Sequence, residues 1–141
     1  MRSRQINIKG QSELMKKLSL LLLPHKYAAC QFHPDKHIPY WALIGDFVSL
    51  TRTHTELSIV CQQDNVPDDI KAERGWRCLQ VQGAFDFSVA GVQASLTIPL
   101  AEADISVLAI ATYATTYLLI KEEDVERASQ VLKQAGHYIE R

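Results

Sequence analysis

The sequence predicts an α+β fold in which antiparallel strands form sheets and helices cover one face. Two stretches, residues 88–103 and 122–135, repeat apolar side chains at steps of three and four, the period of a helix. Two other pairs of stretches, 46–53 with 56–62 and 105–113 with 116–121, are rich in β-branched and aromatic residues. Each pair is joined by two residues, short enough for a hairpin. The composition is that of an ordinary globular chain, with 47% hydrophobic and 22% charged residues. At 141 residues the chain suits one domain or two small lobes sharing a core.

Residues 1–11 are polar and non-periodic, and read as a peripheral arm. Ser12 is placed to cap a short helix whose face carries Leu14, Leu18, Leu21 and Leu22 and which Pro24 ends. Residues 26–32 suit a strand, 34–39 a loop, and 40–44 at most a helical turn. The two strands of the first hairpin follow, with Arg52 and Glu56 placed for a cross-strand ion pair. Residues 65–75 are polar, contain Pro67 and Gly75, and read as a linker.

The second half is more regular. Residues 76–82 suit a strand that Gly83 ends. In the following helix Val89, Val92, Leu96, Leu100 and Ala103 share one face, with Ser88 as N-cap. Pro99 is expected to bend this helix, because it has no N–H for the carbonyl of Ser95. After the second hairpin, Glu122, Glu123 and Asp124 place negative charge at the start of the last helix, where the helix dipole favours it. Val125, Ala128, Val131, Leu132 and Ala135 form its apolar stripe. Gly136 is suited to ending it in the left-handed conformation, and 137–140 make a short final strand. The order in this half is strand–helix–strand–strand–helix–strand. The expected organisation is an arm and short helix over 1–25, an abbreviated lobe and linker over 26–75, and a complete lobe over 76–141.

Charge and cysteine content exclude several function classes. With 15 basic and 16 acidic residues, net charge −1, the chain lacks the basic excess of a nucleic-acid or polybasic membrane-surface binder. Cys30, Cys61 and Cys78 have no paired spacing and sit in apolar runs, where a free thiol acts as a small hydrophobe. The apolar run from Leu18 to Leu23, preceded by Lys16 and Lys17, is six residues long, short of the roughly seven of a signal segment. A cytoplasmic location is expected. Among His25, His33, His37 and His54, the pair at helical spacing, His33 and His37, is broken up by Pro34 and Pro39, so no metal site and no cofactor are expected. No nucleophile–base frame, P-loop or dinucleotide motif is present, and catalysis is not expected.

The halves echo one another. Leu57-Ser58-Ile59-Val60 matches Tyr117-Leu118-Leu119-Ile120, and Asp46-Phe47-Val48 matches Asp104-Ile105-Ser106. Together with the run from Phe85 to Val92 and the stretch from Leu118 to Val125, these segments resemble the ACT-domain superfamily. More narrowly, they resemble tandem-ACT proteins related to the regulatory part of aspartate kinases and to the CASTOR arginine sensors. The resemblance implies tandem ferredoxin-like (βαββαβ) lobes, the first abbreviated, with an amino acid or related metabolite bound at the interface between them. It implies contacts from the loop that carries Asp86, Phe87, Ser88, Ala90, Gly91 and Val92. Facing contacts would come from Asp46, Phe47 and Val48, and from Thr112 and Thr116 in the turn between the second and third strands. The physical rationale is that a helix start presents unpaired N–H groups to a carboxylate, and Gly91 permits close approach. Where family members carry acidic residues in that turn, this chain has Ala114 and Thr116. A basic ligand would lack its carboxylate partner there, so either the ligand differs or the site has decayed. Alternative roles are a protein-interaction module with a degenerate site, acting on a partner enzyme, and a structural homodimer.

Overall fold

The structure is a computed structural model that describes residues 17–83 and 89–141. Its elements are β1 (Ser19–Phe32), β2 (Ser49–Arg52), β3 (Leu57–Gln62), β4 (Ala72–Gln82), α1 (Val89–Glu102), β5 (Leu108–Ala111), β6 (Thr116–Lys121), α2 (Val125–Gln134) and β7 (Tyr138–Glu140). Mixed α/β content, antiparallel hairpins and two helices make an ACT-like ferredoxin fold. The chain divides into two compact units. Of the described residues, one comprises those up to Pro24 together with those from Cys78 to Arg141, and the other is His25–Arg77.

The unit containing both helices is built around one apolar cluster. Val92, Leu96 and Leu100 of α1, and Val125, Ala128 and Leu132 of α2, are the buried part of the two predicted stripes. They pack with Leu79 and Val81 of β4, Leu118 and Ile120 of β6, and Leu18, Leu20 and Ile139. Steps of three and four put each helical set on one side of its helix, and alternation does the same for each strand. β5 pairs antiparallel with β6, with Ala111 opposite Thr116 and Leu108 opposite Leu119. β6 neighbours β4.

The first segment is where the structure overturns the sequence reading. Residues 19–24, assigned above to a helix ending at Pro24, belong instead to a 14-residue strand that continues through the proline. Ser12 and Leu14 lie outside the described residues. β1 begins with a parallel pairing to β7, Ser19 opposite Tyr138, Leu20 opposite Ile139 and Leu21 opposite Glu140. Its antiparallel pairing to β3 starts only at Tyr27. Pro24 lies in the gap between these ladders, so its missing N–H removes a bond from neither. An unbroken leucine run fits a buried strand as well as a helix, and only a partner strand decides between them.

Both helices end in the same way. Beyond α1, the N–H of Ile105 bonds to the Leu100 carbonyl at 2.9 Å and that of Asp104 to Ala101 at 3.0 Å. Beyond α2, the N–H of His137 bonds to Leu132 at 3.0 Å and that of Gly136 to Lys133 at 2.9 Å. This pattern needs a left-handed residue at the turn. Gly136, with φ of 99°, supplies it as expected, but the α1 counterpart is Asp104, with φ of 57°. The turn consumes Asp104 and Ile105, which is why β5 starts at Leu108 and not at 105. Asp104→Gly is expected to raise stability by about 0.5–1 kcal/mol by relieving the left-handed conformation, read as an increase in the urea midpoint at unchanged slope.

Pro99 lies inside α1, which runs on to Glu102. The Ser95 carbonyl that the proline cannot serve is bonded instead by the His137 ring, with Nε2 at 3.0 Å. The other ring nitrogen, Nδ1, accepts from the Leu18 N–H at 3.1 Å. The ring is therefore neutral, with its proton on Nε2, and this tautomer follows from its two partners. His137 is buried and joins α1, the chain just before β1 and the lead into β7.

The second unit holds no α-helix among its described residues. β3 is flanked by β1 and β2, Cys30 opposite Ile59 on one side and Leu50 opposite Ile59 on the other. Ala28, Cys30, Ala42, Leu57, Ile59, Cys61 and Val66 form its core, with Phe32, Trp41, Ile70 and Ala72 packed against it. The segment expected to be a linker is shorter than predicted, because β4 already begins at Ala72. Arg74 and Gly75 hold this start in place: Arg74 donates to the carbonyls of Pro67 (3.2 Å) and Ile70 (3.0 Å), and the Gly75 N–H donates to Gln63 Oε1 at 2.7 Å. The ion pair expected between Arg52 and Glu56 does not form. Arg52 donates to the carbonyls of Pro34 and Lys36, and Gln31 donates to Glu56 at 3.3 Å.

The two hairpins are built alike. Each has a four-residue strand followed by a six-residue strand and a three-residue 3-10 turn, Gln63–Asn65 in one and Glu122–Asp124 in the other. The six-residue strands bury the same positions, with Leu57, Ile59, Val60 and Cys61 matching Thr116, Leu118, Leu119 and Ile120, one residue off the register read from the sequence, which set Leu57 against Tyr117. Each connection is closed by a threonine whose N–H donates across the turn. Thr53 bonds to Glu56 at 2.9 Å and Thr112 to Thr115 at 2.8 Å.

Candidate functional site

In the helical unit, the parts implicated by the sequence converge on one end. β4 finishes at Gln82, the chain turns at Gly83, and α1 starts at Val89 with Gly91 in its first turn. The β5–β6 turn is fastened to the same end, because Thr115 Oγ1 donates to the Val81 carbonyl at 2.6 Å. The turn is stiffened internally as well: Thr112 Oγ1 accepts from the Thr115 N–H at 3.2 Å and donates to the Thr115 carbonyl at 3.2 Å.

The expected site residues take different positions around this end. Ala90 is exposed, Gly91 half-buried, and Val92 buried in the core beneath the helix start. Thr112 is exposed, but its hydroxyl is engaged by the turn; Thr116 is buried and paired with Ala111. Asp86, Phe87 and Ser88 lie outside the described residues. Asp46, Phe47 and Val48 belong to the other unit. There Asp46 is exposed, Val48 is half-buried, and Phe47 is buried edge-on against Tyr27, with ring centroids 5.6 Å apart and planes at 83°. Phe47 thus serves its own unit's packing.

Two residues that organise this unit escaped the sequence reading. Thr115 had only a compositional signal, two threonines about each hairpin turn, because its counterpart across the first turn is Glu56 and not Thr55. His137 had a fainter one: it follows the helix-ending Gly136, and Pro99 leaves one carbonyl in search of a donor.

The electrostatics of the described residues centre on the thiols. Burial pushes the Cys78 thiol up to about 12. Because the folded state holds this proton after the unfolded chain has lost it, stability is complete below about pH 9 and falls as pH rises towards 12. The expected slope is about 1.4 kcal/mol per pH unit in that window. Cys78→Ala should make this part of the profile shallower, Cys61 remaining as a second buried thiol raised in the same direction, as measured by urea denaturation from pH 8 to 11 against wild type. Among the described residues, no three His, Cys, Asp or Glu side chains gather to hold a metal ion, and no helix is long and apolar enough to cross a membrane.

The ACT-like ferredoxin fold has a counterpart in sequence: residues 71–134 match the ACT domain family. Residues 25–69 match a separate family described as an N-terminal domain. The chain is 35% identical to protein Atu0741 from Agobacterium tumefaciens, over 88% of this chain and 92% of that one, with a TM-score of 0.84. It belongs to the same family as Atu0741. The fold is also similar to that of VC0802 from Vibrio cholerae, described as a possible transport protein. That match has 20% identity over 91% of this chain and 97% of the other, with a TM-score of 0.69. It is similar too to the regulatory subunit of aspartate kinase from Thermus flavus, with 16% identity, 86% and 97% coverage and a TM-score of 0.55. No curated protein matches the sequence.

Proposed function

We propose that this protein is a regulatory module that binds an amino acid or related small metabolite through the start of α1 and passes the effect to a partner enzyme. The observation that carries the reading is the Thr115–Val81 hydrogen bond, which holds the β5–β6 turn beside the strand end that leads into α1. A ligand carboxylate suits the positive end of a helix dipole. The turn offers Ala114 and a buried Thr116 in place of carboxylates, so a neutral side chain on the ligand is favoured over a cationic one. The ACT domain match and the likeness to an aspartate kinase regulatory subunit support a ligand-sensing role with no catalytic step on this chain. The matching hairpins of the two units support a tandem origin.

A thermal-shift screen against the twenty amino acids tests this. Millimolar neutral amino acids are expected to raise the midpoint, with about 2.7 kcal/mol of stabilisation at a hundredfold excess over Kd. Lysine and arginine are expected to give no shift. Absence of any shift across the set would remove the reading.

A further inference from the structure

We propose that the outer edge of β2 is an interface to a second copy of this chain, the two β2 strands pairing antiparallel about a two-fold axis at Ser49. Among the described residues β2 pairs with β3 alone. The Thr53 N–H bonds the Glu56 carbonyl at 2.9 Å, and backbone groups alternate sides along an antiparallel strand. Ser49 and Thr51 therefore face β3, while Val48, Leu50 and Arg52 turn their N–H and C=O groups outward. Such an edge is a template for another strand. The usual guards are missing, since no proline or lysine lies between residues 40 and 53. Arg52, the one arginine there, is drawn aside to the carbonyls of Pro34 and Lys36. Exposed apolar side chains also gather here. Of the eight large ones exposed among the described residues, Ile38, Tyr40, Leu43, Ile44 and Leu50 make five. Such a concentration marks an interaction surface.

Charge complementarity selects both the partner and the register. With Ser49 opposite Ser49 of the second copy, Val48 meets Leu50 and Asp46 meets Arg52, each pairing occurring twice by symmetry. The outward groups of Val48 and Leu50 then bond across the axis. Asp46 and Arg52 are both exposed, and Arg52 is bonded within its own chain to carbonyls, so its charge is available to a carboxylate. Opposite charges facing each other across a strand pair attract, and like charges repel. Shifting the register by two residues in either direction sets a charge against an apolar side chain, Arg52 on Val48 or Asp46 on Leu50.

Sedimentation equilibrium of the full-length protein is the test. Wild type is expected to dimerise at micromolar concentration. Asp46→Arg sets like charges together twice and should raise the dimer Kd about tenfold or more. Arg52→Asp should do the same, and mixing the two variants should restore dimers, because every facing pair is again of opposite charge. Asp46 is exposed, so Asp46→Arg reads the interface even if Arg52→Asp folds poorly. Cysteine substitution reads the register. Facing residues of a non-hydrogen-bonded pair lie about 4.5 Å apart at Cα, within disulfide span. Ser49→Cys should therefore oxidise to a covalent dimer, whereas Thr51→Cys, which faces Phe47 of the second copy, should not. A wild-type monomer, a dimer indifferent to Asp46→Arg, or cross-linking of Thr51→Cys in preference to Ser49→Cys would each overturn the proposal.

Discussion

Leu20→Ala is expected to lower stability by about 2–5 kcal/mol, the range for truncating a fully buried leucine, while Leu21→Ala should cost roughly 1 kcal/mol, since less area is lost from its side chain. Leu20 is 0% exposed and sits in the core with Leu79, Leu118 and Ile139, whereas Leu21 is half-buried. The contrast separates the two possible structures of this segment. As a helix with Leu14, Leu18, Leu21 and Leu22 on its apolar face, the segment would be more sensitive at Leu21 than at Leu20. As the start of β1 it must show the reverse order, because alternation turns Leu18 and Leu20 to the core. Urea denaturation of the two variants, compared at equal slope, gives the answer.

His137→Ala is expected to cost about 2–4 kcal/mol. The change leaves the Leu18 N–H and the Ser95 carbonyl buried without their partner, and each unsatisfied group costs on the order of 1–3 kcal/mol. Half of this loss depends on the proline. In a Pro99→Ala background, residue 99 regains an N–H that can serve the Ser95 carbonyl in the ordinary helical pattern. The histidine substitution should then cost about 1 kcal/mol less. A double-mutant cycle measures this coupling directly. Additive effects of the two substitutions would show that the His137–Ser95 bond does not replace the one Pro99 removes.

The two helices were legible because each repeats apolar residues at its own period and buries that stripe against a sheet. Gly136 was legible because few residues other than glycine take a left-handed turn easily. Asp104 performs the same task without the glycine signal, and the strand after α1 was read as starting at residue 105, three residues before β5 begins. The candidate site was legible in part. The helix start and the turn were identified from the sequence, but the hydroxyl that ties them together, Thr115, was not. A hydrogen bond between residues 34 positions apart leaves no local pattern.

The sequence by itself determined the type and order of the elements from β4 to β7, the apolar stripes of α1 and α2, and the likeness between the two hairpins. These are properties of short windows, where side-chain periodicity reports the local conformation. Tertiary structure alone decided that the leucine run before Pro24 is a strand beside β7 and that His137 supplies the donor Pro99 lacks. Each of these is a pairing between segments distant in the chain, selected by backbone hydrogen-bond register and shared burial, and neither quantity is written into the composition of either segment.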